Sequence, residues 1–343
     1  MALLYKSAHS LPNSTKVLLA SLGAVSSLIF LIKLNVYRSS IGSEGSSDLR
    51  FHDILVPYLQ LVPRTTIFNP WVVVTAIFAE ISVFSLLVST IVLFLASKYV
   101  ERFWGFREVL KFVFTVGTLT NLWTVLVTIL VNMWRGDSAS MDKPLGGGIS
   151  YYFGFLVVLK QLIPEHNVIL FQGLINFRIK HLPFTTLCLV SVWSLLLSRS
   201  LYPAVPSIAS FVISYSYLRF YQSIVTESLL PVTSANGSSS DSSNSSFVTG
   251  DASDAFRLSE FFPSVIKPYV APVFDHIYEV SSLVGLITPF NDESIEQSNL
   301  RAVKRQEQAT HSSKSVANSV AERRRQVALQ MIEERINKEP QAE

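Results

Sequence analysis

Few residues of this chain could do chemistry, and the most suggestive is a serine beside a run of glycines. Ser150 follows the glycine run 146–148 after a single residue. A serine hydroxyl becomes a nucleophile only when a positioned base takes its proton. The nearest histidines along the chain, His166 and His181, lie past the far end of the helix that Ser150 is expected to begin, about ten helical residues or 15 Å away. The sequence therefore offers a serine without a base to activate it.

Two glutamates flank the second apolar stretch of the chain. Glu80 comes just before this stretch and Glu101 just after it. A carboxylate inside a membrane is costly and is functional by default. The alternative that we prefer places Glu80 at the mouth of the stretch, hydrogen-bonded to a neighbouring loop. For Glu101 we expect an ion pair with Arg102 or Arg107 that fixes the turn into the next helix.

Composition sets the class of protein that must position these residues. Of the 343 residues, 49% are hydrophobic and 15% are charged, and the mean hydropathy is +0.37, which is too apolar for a soluble domain of this length. The one cysteine, Cys188, excludes a disulfide-stapled scaffold and a zinc site of several thiolates. The net charge of +3 does not favour nucleic-acid binding. We expect a polytopic membrane protein without a metal, a cofactor or a nucleic-acid partner.

Six stretches without Asp, Glu, Lys or Arg approach the roughly 17 to 25 residues that a helix needs to cross a bilayer. Arg199, with Pro203 and Pro206 close behind it, predicts a tight turn between the last two stretches. The sequence thus predicts an all-α membrane protein with a six-helix transmembrane bundle over residues 17–222. The stretches run over residues 17–32, 81–97, 112–134, 144–159, 181–198 and 200–218.

The distribution of basic residues predicts the orientation, because Lys and Arg are retained on the cytosolic side. The connections between the second and third stretches and between the fourth and fifth are the richest in them for their length. Both termini are therefore predicted to be cytosolic, with residues 1–16 as the N-terminal segment. The sequons at Asn13, Asn236 and Asn244 would then escape glycosylation.

Residues 223–343 are polar and predict a cytosolic tail that is partly disordered and partly helical. Residues 233–249 are almost entirely Ser, Asn, Gly and Asp, a composition typical of a flexible linker. Residues 273–288 carry apolar side chains at helical spacing and predict an amphipathic helix. Residues 294–338 are charged and favour a helix that could lie on a membrane surface or dock a partner. A solvated, partly formed helix is the alternative for this last segment.

The run from residue 69 to residue 105 resembles the rhomboid superfamily. In rhomboids, a Trp-containing segment leads into the second span, and a Glu followed a few residues later by a Gly closes it. Here Trp71 precedes the second stretch, and Glu101, Trp104 and Gly105 follow it. The agreement extends to the predicted number of spans.

A second run, residues 146–155, is similar to the opening of the rhomboid fourth span, where a Gly-x-Ser-Gly motif precedes a Phe-Gly pair. Registering the pair on Gly154 puts Gly147 at the first motif glycine. The same register puts Ile149 where the nucleophilic serine should be and Ser150 where the second glycine should be. The resemblance therefore implies that the nucleophile is missing from its position.

The remaining catalytic positions of the rhomboid pattern also differ. Registering the second span on Glu101 places Glu80, Ser85 and Ser89 where active rhomboids have two histidines and an asparagine that hold the oxyanion. The sixth stretch, which should carry the basic histidine, contains none. The resemblance thus implies a rhomboid-like bundle that is not an enzyme.

A closer resemblance is to the transmembrane protein 115 family, Golgi membrane proteins related to rhomboids. It rests on the run 214–222 at the end of the sixth stretch, on residues 250–256 with 261–263, and on the charged run 321–325. The linker carries a Ser- and Asn-rich insert of fungal type. Within 214–222, we interpret the aromatic residues as an interfacial belt around a snorkelling Arg219. The positions that carry the resemblance there are Tyr217, Arg219, Phe220 and Tyr221.

This resemblance implies a function in vesicle-mediated transport, in particular retrieval from the Golgi to the endoplasmic reticulum, with support of Golgi glycosylation. The implied location is the Golgi membrane or that of the endoplasmic reticulum. The implied partners are membrane lipids, transmembrane cargo proteins and cytosolic vesicle-tethering machinery bound through the tail. The alternatives are an intramembrane serine protease that uses Ser150, a bare scaffold, and a small-solute transporter. For the transporter, the sequence has neither an internal repeat nor a chain of intramembrane acids.

Overall fold

Helices dominate the computed structural model, which describes residues 11–41, 51, 54–80, 82–136, 141–164, 167–170, 175–198, 200–224 and 248–307, with 322, 325, 326 and 329 further on. Short π-helical turns, Ser194–Ser198 and Tyr217–Tyr221, continue two of the helices. The helices are α1 (Asn13–Ile41), α2 (Pro63–Thr66), α3 (Val72–Thr75), α4 (Val83–Trp104), α5 (Phe106–Arg135), α6 (Ile149–Leu162), α7 (Leu182–Trp193), α8 (Ala204–Ser216), α9 (Lys267–Leu283) and α10 (292–307).

Among the described residues, four helical segments are long and apolar enough to cross a membrane: Asn13–Ser40, Val83–Trp104, Phe106–Arg135 and Ile179–Leu196. Two further helices of the bundle, α6 and α8, have 14 and 13 residues. At 1.5 Å per residue, α6 and the α-helical part of α8 extend about 20 Å each, less than the roughly 30 Å of a hydrocarbon core. The prediction of an all-α membrane protein is confirmed, and the number of six complete crossings stays a prediction.

The ends of the helices differ from the charge-free stretches that predicted them. α1 runs over 13–41 and not 17–32, so it contains Lys16, Lys33 and Arg38. Long basic side chains can lie along apolar surface while their charge reaches the interface, so a search for uncharged stretches underestimates helix length. α6 begins at Ile149 and not at residue 144, because Gly146 and the next residue have φ of 101° and 86°.

α6 lies at the centre of the bundle, packed against α5 and α8. Its Tyr151 and Phe155 are among the largest fully buried side chains, and the Phe155 ring lies 6.0 Å from that of Phe112 on α5. A Cβ atom added to Gly154 would lie 2.8 Å from Ser214 Oγ on α8 and 3.1 Å from Phe112 Cζ. Gly154 therefore lets three helices approach closely, as small residues do in membrane bundles.

We expect Gly154→Val to destabilise the bundle, because the added side chain would have to push α5 and α8 away from α6. Overpacking of this kind costs about 1–3 kcal/mol, which thermal unfolding in mild detergent should show as a lowered Tm. Gly23→Val on α1 is the control, because a Cβ at Gly23 meets no atom within 4 Å. Equal Tm values for the two variants would contradict the close packing at Gly154.

Two short antiparallel pairs of strands lie among the described residues. The first joins β1 (Asn167–Leu170) and β2 (Ile175–Arg178) between α6 and α7. The second joins β3 (Ser223–Ile224), just after α8, to β4 (Val248–Thr249). The composition predicts that residues 248–249 belong to a flexible linker. Instead, they pair with β3 and bring the chain back to the end of α8. The rest of the predicted linker lies outside the described residues.

The segment after β4 packs into the main core, although the sequence predicts a separate tail from residue 223. Phe256 and Phe261 are 2% and 0% exposed, and both rings contact that of Tyr215 on α8. The amphipathic helix predicted at 273–288 is α9, Lys267–Leu283, which has no buried residue. Of the charged helix predicted at 294–338, α10 covers the first part, and residues 322, 325, 326 and 329 are helical.

Candidate functional site

Glu80 organises a polar cluster at the N-terminal end of α6. Its Oε1 accepts a hydrogen bond of 2.8 Å from the backbone N–H of Gly148 and another from Ser89 Oγ on α4. Ser89 Oγ also contacts the hydroxyl of Tyr152 on α6. Because the N-terminus of a helix carries a partial positive charge, a carboxylate there is favourable. We call Glu80, Ser89, Gly147, Gly148 and Tyr152 the Glu80 cluster.

The glycines of this cluster are required by the close approach of Glu80. A Cβ at Gly147 would lie 2.9 Å from Glu80 Oε2, and φ at Gly147 is +86°. A Cβ at Gly148 would lie 2.4 Å from both Ser89 Oγ and a ring atom of Tyr152. Tyr202 holds the same loop by donating from its hydroxyl to the carbonyl of Gly146 over 2.8 Å. The glycine run thus forms a tight turn whose space is filled by side chains of this chain.

Ser150, the candidate nucleophile, lies beside the Glu80 cluster with its hydroxyl already engaged. Ser150 is 0% exposed, and its Oγ donates to the carbonyl of Gly147 over 2.9 Å. Its own carbonyl accepts a hydrogen bond of 2.9 Å from Ser210 Oγ on α8. His181 is placed elsewhere, with Nδ1 3.4 Å from the carbonyl of Phe261, and His166 lies outside the described residues.

The other positions of the 69–105 run stabilise helix ends and loops. Trp71 donates from Nε1 to the carbonyl of Tyr58 over 3.2 Å. The Trp104 ring packs edge-on against Phe112 at 5.4 Å, and Gly105, with φ of 80°, separates α4 from α5. The contacts of Trp71, Trp104 and Gly105 described above involve no residue of the Glu80 cluster.

Glu101 binds a different partner from the one predicted. Its Oε2 accepts hydrogen bonds from the backbone N–H of Ser14, over 3.0 Å, and from Ser14 Oγ. Within the described part of the chain, neither Arg102 nor Arg107 forms an ion pair with it. The expected ion pair is therefore wrong, because the unpaired N–H groups at the start of α1 compete for the same carboxylate. Glu101 joins the first turn of α1 to the last turn of α4.

Arg219 is buried, which corrects the prediction of a snorkelling side chain in an interfacial belt. It is 8% exposed, and its Nη1 donates to the carbonyls of Asp251 and Ser253 over 2.6 and 2.8 Å. Its guanidinium also lies 4.9 Å from the centre of the Phe290 ring. Two backbone carbonyls of the segment after β4 therefore bind this cation, where the prediction expected lipid headgroups or water.

The aromatic neighbours of Arg219 are divided between three environments. Tyr217 packs against Phe112 inside the bundle at 5.7 Å, whereas Phe220 stacks on Phe290 at 5.5 Å. Tyr221 is 64% exposed. Only Tyr221 is therefore placed as a residue of an interfacial belt would be.

Asp251 joins three parts of the chain at this end of the bundle. It is 2% exposed, and its Oδ2 accepts hydrogen bonds from Arg305 Nη2 of α10 at 2.9 Å and Gln161 Nε2 of α6 at 3.0 Å. Its Oδ1 accepts a bond of 3.1 Å from the N–H of Ser253. Burial alone would raise the pKa of Asp251, but Arg305 and these hydrogen bonds outweigh burial and lower the pKa to about 2. We call Gln161, Arg219, Asp251, Ser253 and Arg305 the Asp251 cluster.

The stability that Asp251 contributes should depend on pH. Because its folded pKa lies below its ordinary value of 3.8, the contribution is complete above about pH 4 and is lost as the pH falls through about 2. The difference in Tm between the wild type and Arg305→Met should therefore be constant above about pH 5 and shrink toward about pH 3. A difference that stays constant over this range would show that Arg305 acts by packing and not by charge.

Lys160 and Gly250 fix the same segment from the bundle side. Lys160 is 2% exposed, donates from Nζ to the carbonyl of Ala255 over 3.2 Å, and lies 3.5 Å from the centre of the Phe261 ring. A Cβ at Gly250, where φ is +80°, would lie 2.2 Å from the carbonyl oxygen of Arg219. Sequence reasoning did not assign Lys160 or Arg305 to any site. The sequence feature that could have indicated Lys160 is the pair Lys160-Gln161, two polar residues within an otherwise apolar helix.

Comparison with known proteins identifies relatives named as transmembrane protein 115 or as rhomboid-like proteins. The chain is 30% identical to the transmembrane protein 115 homolog of Saccharomyces cerevisiae over 336 residues, which are 96% of this chain and 94% of that protein. It is 29% identical to rhomboid-like protein 19 of Arabidopsis thaliana, over 67% of this chain and 68% of that protein. It is 24% identical to transmembrane protein 115 of Homo sapiens, over 78% and 68%. No solved structure matches the chain.

The family match covers nearly the whole sequence. Residues 16–338 match the family described as eukaryotic integral membrane protein (DUF1751). The resemblance predicted from the sequence is thereby confirmed, and with it a rhomboid-like, multi-pass membrane protein. The functional roles of the individual motif positions stay predictions. The chain belongs to the DUF1751 family of eukaryotic integral membrane proteins, and it is similar over most of its length to transmembrane protein 115 homologues.

Proposed function

We propose that this chain is a non-catalytic, rhomboid-like protein of the Golgi membrane that acts in vesicle-mediated transport. Its task is retrieval from the Golgi to the endoplasmic reticulum, with support of Golgi glycosylation, and both of its termini are cytosolic. The location and the transport role rest on the resemblance to the transmembrane protein 115 family.

The observation that carries the non-catalytic half is that Ser150 and Glu80 are each hydrogen-bonded to other residues of the chain, Ser150 to Gly147 and Glu80 to Gly148 and Ser89. The Ser150 hydroxyl donates to Gly147 in the first turn of α6 and is 0% exposed, so a substrate carbonyl has no approach to it. A hydrolase of acyl groups needs hydrogen-bond donors aimed at the negative charge that develops on the oxygen. The carboxylate of Glu80 stands in the corresponding region and would repel that charge.

The transport half requires one surface for cargo and one for cytosolic partners. In the bilayer, α4 and α7 present exposed apolar side chains such as Val83, Leu87 and Leu189, against which a transmembrane segment of cargo can pack without any reaction following. At the other surface, the segment 250–262 and α10 form a docked platform from which the chain continues toward residue 343. This platform and the residues beyond it recruit tethering machinery.

Deletion of the gene in its own host tests the proposal. A Golgi glycosyltransferase and a retrieved resident of the endoplasmic reticulum are followed by microscopy and gel mobility. We expect misplaced enzymes and underglycosylated products, restored equally by the wild type and by Ser150→Ala. Normal traffic in the deletion strain would overturn the transport role, and rescue that requires the Ser150 hydroxyl would favour proteolysis.

The proposed orientation predicts that Asn13, Asn236 and Asn244 carry no glycans. Treatment of the expressed protein with an endoglycosidase should leave its gel mobility unchanged. Gly45→Asn creates an Asn-Ser-Ser sequon in the connection between the first two spans, and this matched control should be glycosylated and shift on treatment. Glycosylation at Asn236 or Asn244, or none in the Gly45→Asn variant, would contradict the orientation.

A further inference from the structure

A cavity of about 410 Å³ lies between α1 and the start of α4. Its lining combines apolar side chains, including Ile29, Phe30 and Leu86, with two charged residues, Lys33 and Glu80. The rim residues Phe30 and Val83 are 53% and 80% exposed, so the cavity opens sideways toward the bilayer. Its size is within the range of pockets that bind small molecules, roughly 300–1,000 Å³.

Lys33 has a mostly buried side chain, and its Nζ has no partner among the residues that the structure describes. It is 5% exposed, and within the described part of the chain no hydrogen bond or ion pair satisfies its Nζ. A buried charge of this kind is costly unless a partner neutralises it. Because Lys33 lines the cavity, the missing partner is expected to be an anionic group bound there.

Glu80 supplies the opposite charge on the cavity wall. Both hydrogen bonds that it accepts within the Glu80 cluster end on Oε1, so Oε2 keeps its capacity to accept. Lys33 and Glu80 do not form an ion pair with each other. A ligand that carries both a negative and a positive group would satisfy both side chains, whereas a simple anion would satisfy only Lys33.

The depth of the two charges matches the headgroup level of a leaflet. Ser14 and Glu101 are hydrogen-bonded at the other end of the α1–α4 pair. Lys33 is about 28 Å along α1 from Ser14, and Ser82 is about 28 Å along α4 from Glu101, at 1.5 Å per residue. This is close to the thickness of one hydrocarbon core. The cavity extends from Lys33 back to Gly23, about 15 Å toward the membrane centre, as the upper part of an acyl chain would.

We propose that this cavity binds an ethanolamine phospholipid, with its phosphate on Lys33 and its ammonium group on Glu80. The primary ammonium is chosen over choline because it has N–H donors for the free carboxylate oxygen. A serine phospholipid is disfavoured, because its extra carboxylate would face Glu80. The glycerol and the upper part of an acyl chain occupy the cavity toward Gly23, and the remaining acyl carbons pass out along the apolar rim. This site does not depend on the proposed transport function.

Lipid retention by the purified full chain tests the proposal. The protein is equilibrated in detergent with equal amounts of ethanolamine, choline and serine phospholipids of the same acyl chains, and bound lipid is counted by native mass spectrometry. We expect one ethanolamine lipid per chain, retained about ten-fold over the other two. Lys33→Met should lower that retention at least about ten-fold, since charge-assisted hydrogen bonds are lost, and Lys33→Arg should keep most of it.

Two further variants show whether lipid retention depends on this cavity or on the overall charge of α1. Gly23→Leu keeps every charge but fills the acyl end of the cavity, where a Cβ meets no atom within 4 Å, and it should also abolish retention. Lys16→Met removes an exposed lysine from the same helix and should retain lipid like the wild type. Monodisperse elution and an unchanged Tm show that each variant is folded.

Several results would overturn the proposal. These are equal retention of the three lipids, preference for the choline or serine lipid, and retention that survives both Lys33→Met and Gly23→Leu. A rise in Tm with inorganic phosphate alone as large as that with the ethanolamine lipid would identify a site for free anions instead.

Discussion

Asp251→Ala is expected to detach the segment 250–262 and α10 from the bundle. The change leaves Arg305, which is 19% exposed at its side chain, without its ion-pair partner and the Ser253 N–H without an acceptor. It also removes one of the two acceptors of Gln161 Nε2, the other being Gln222 Oε1 at 3.3 Å. Removing one partner of a buried ion pair costs about 3–5 kcal/mol. Local opening of the segment should therefore become on the order of 100- to 1,000-fold more frequent. Limited proteolysis of the detergent-solubilised full chain, read out by mass spectrometry, would detect cleavage within residues 250–307.

Asp254→Ala is the matched control for this prediction. Asp254 lies in the same segment, but its ion pair with Arg257 is exposed on both sides, at 56% and 55%. The hydrogen bond of 2.9 Å that its Oδ2 accepts from Asn299 Nδ2 of α10 is also exposed. An exposed pair of this kind contributes about 0–1 kcal/mol. Cleavage of the Asp254 variant should resemble that of the wild type. If both variants were cleaved at the same rate, the Asp251 cluster would not be what holds the segment.

The Asp251 cluster also marks where sequence reasoning was insufficient. Asp251 and Arg305 are separated by a stretch whose composition is typical of a solvated tail. Gln161 belongs to a helix more than 80 residues earlier in the chain. No periodicity or spacing joins these three residues, because their contact depends on the chain returning through β4 to the end of α8. A polar tail can be predicted from composition, but its docking on a membrane domain depends on tertiary contacts.

Local physical requirements were easier to anticipate. An acid beside an apolar segment needs hydrogen-bond donors. The preferred interpretation of the sequence places Glu80 in a hydrogen bond with a neighbouring loop, and Glu80 accepts such a bond from Gly148 in the loop before α6. The glycine run 146–148 has a local physical reason, because φ at Gly147 is +86° and Glu80 approaches this glycine closely. Glu101 shows the limit of the same reasoning. Its need for a partner was evident, but the nearby arginines were weaker candidates than the unpaired start of α1, 87 residues away.

Glu80→Ala is expected to loosen the bundle at the N-terminal end of α6. The change leaves the Gly148 N–H without an acceptor and breaks the contact that joins α4 to α6 through Ser89. Hydrogen bonds to charged groups contribute about 1.5–3 kcal/mol each, so we expect a loss of about 3 kcal/mol in the free energy of unfolding. Thermal unfolding in mild detergent should show the largest decrease in Tm among single changes within the Glu80 cluster.

Glu80→Gln separates the charge of this side chain from its role as an acceptor. The amide oxygen can still accept from Gly148 and Ser89, so the loss should be about half that of Glu80→Ala. Asp142→Ala is the control, because Asp142 is an acid whose ion pair with Arg64 is 47% and 57% exposed, and its Tm should change little. A Tm for Glu80→Ala equal to that of the wild type would mean that α4 and α6 are held by packing alone. In that case the hydrogen bonds that Glu80 Oε1 accepts from Gly148 and Ser89 would contribute little to the stability of the bundle.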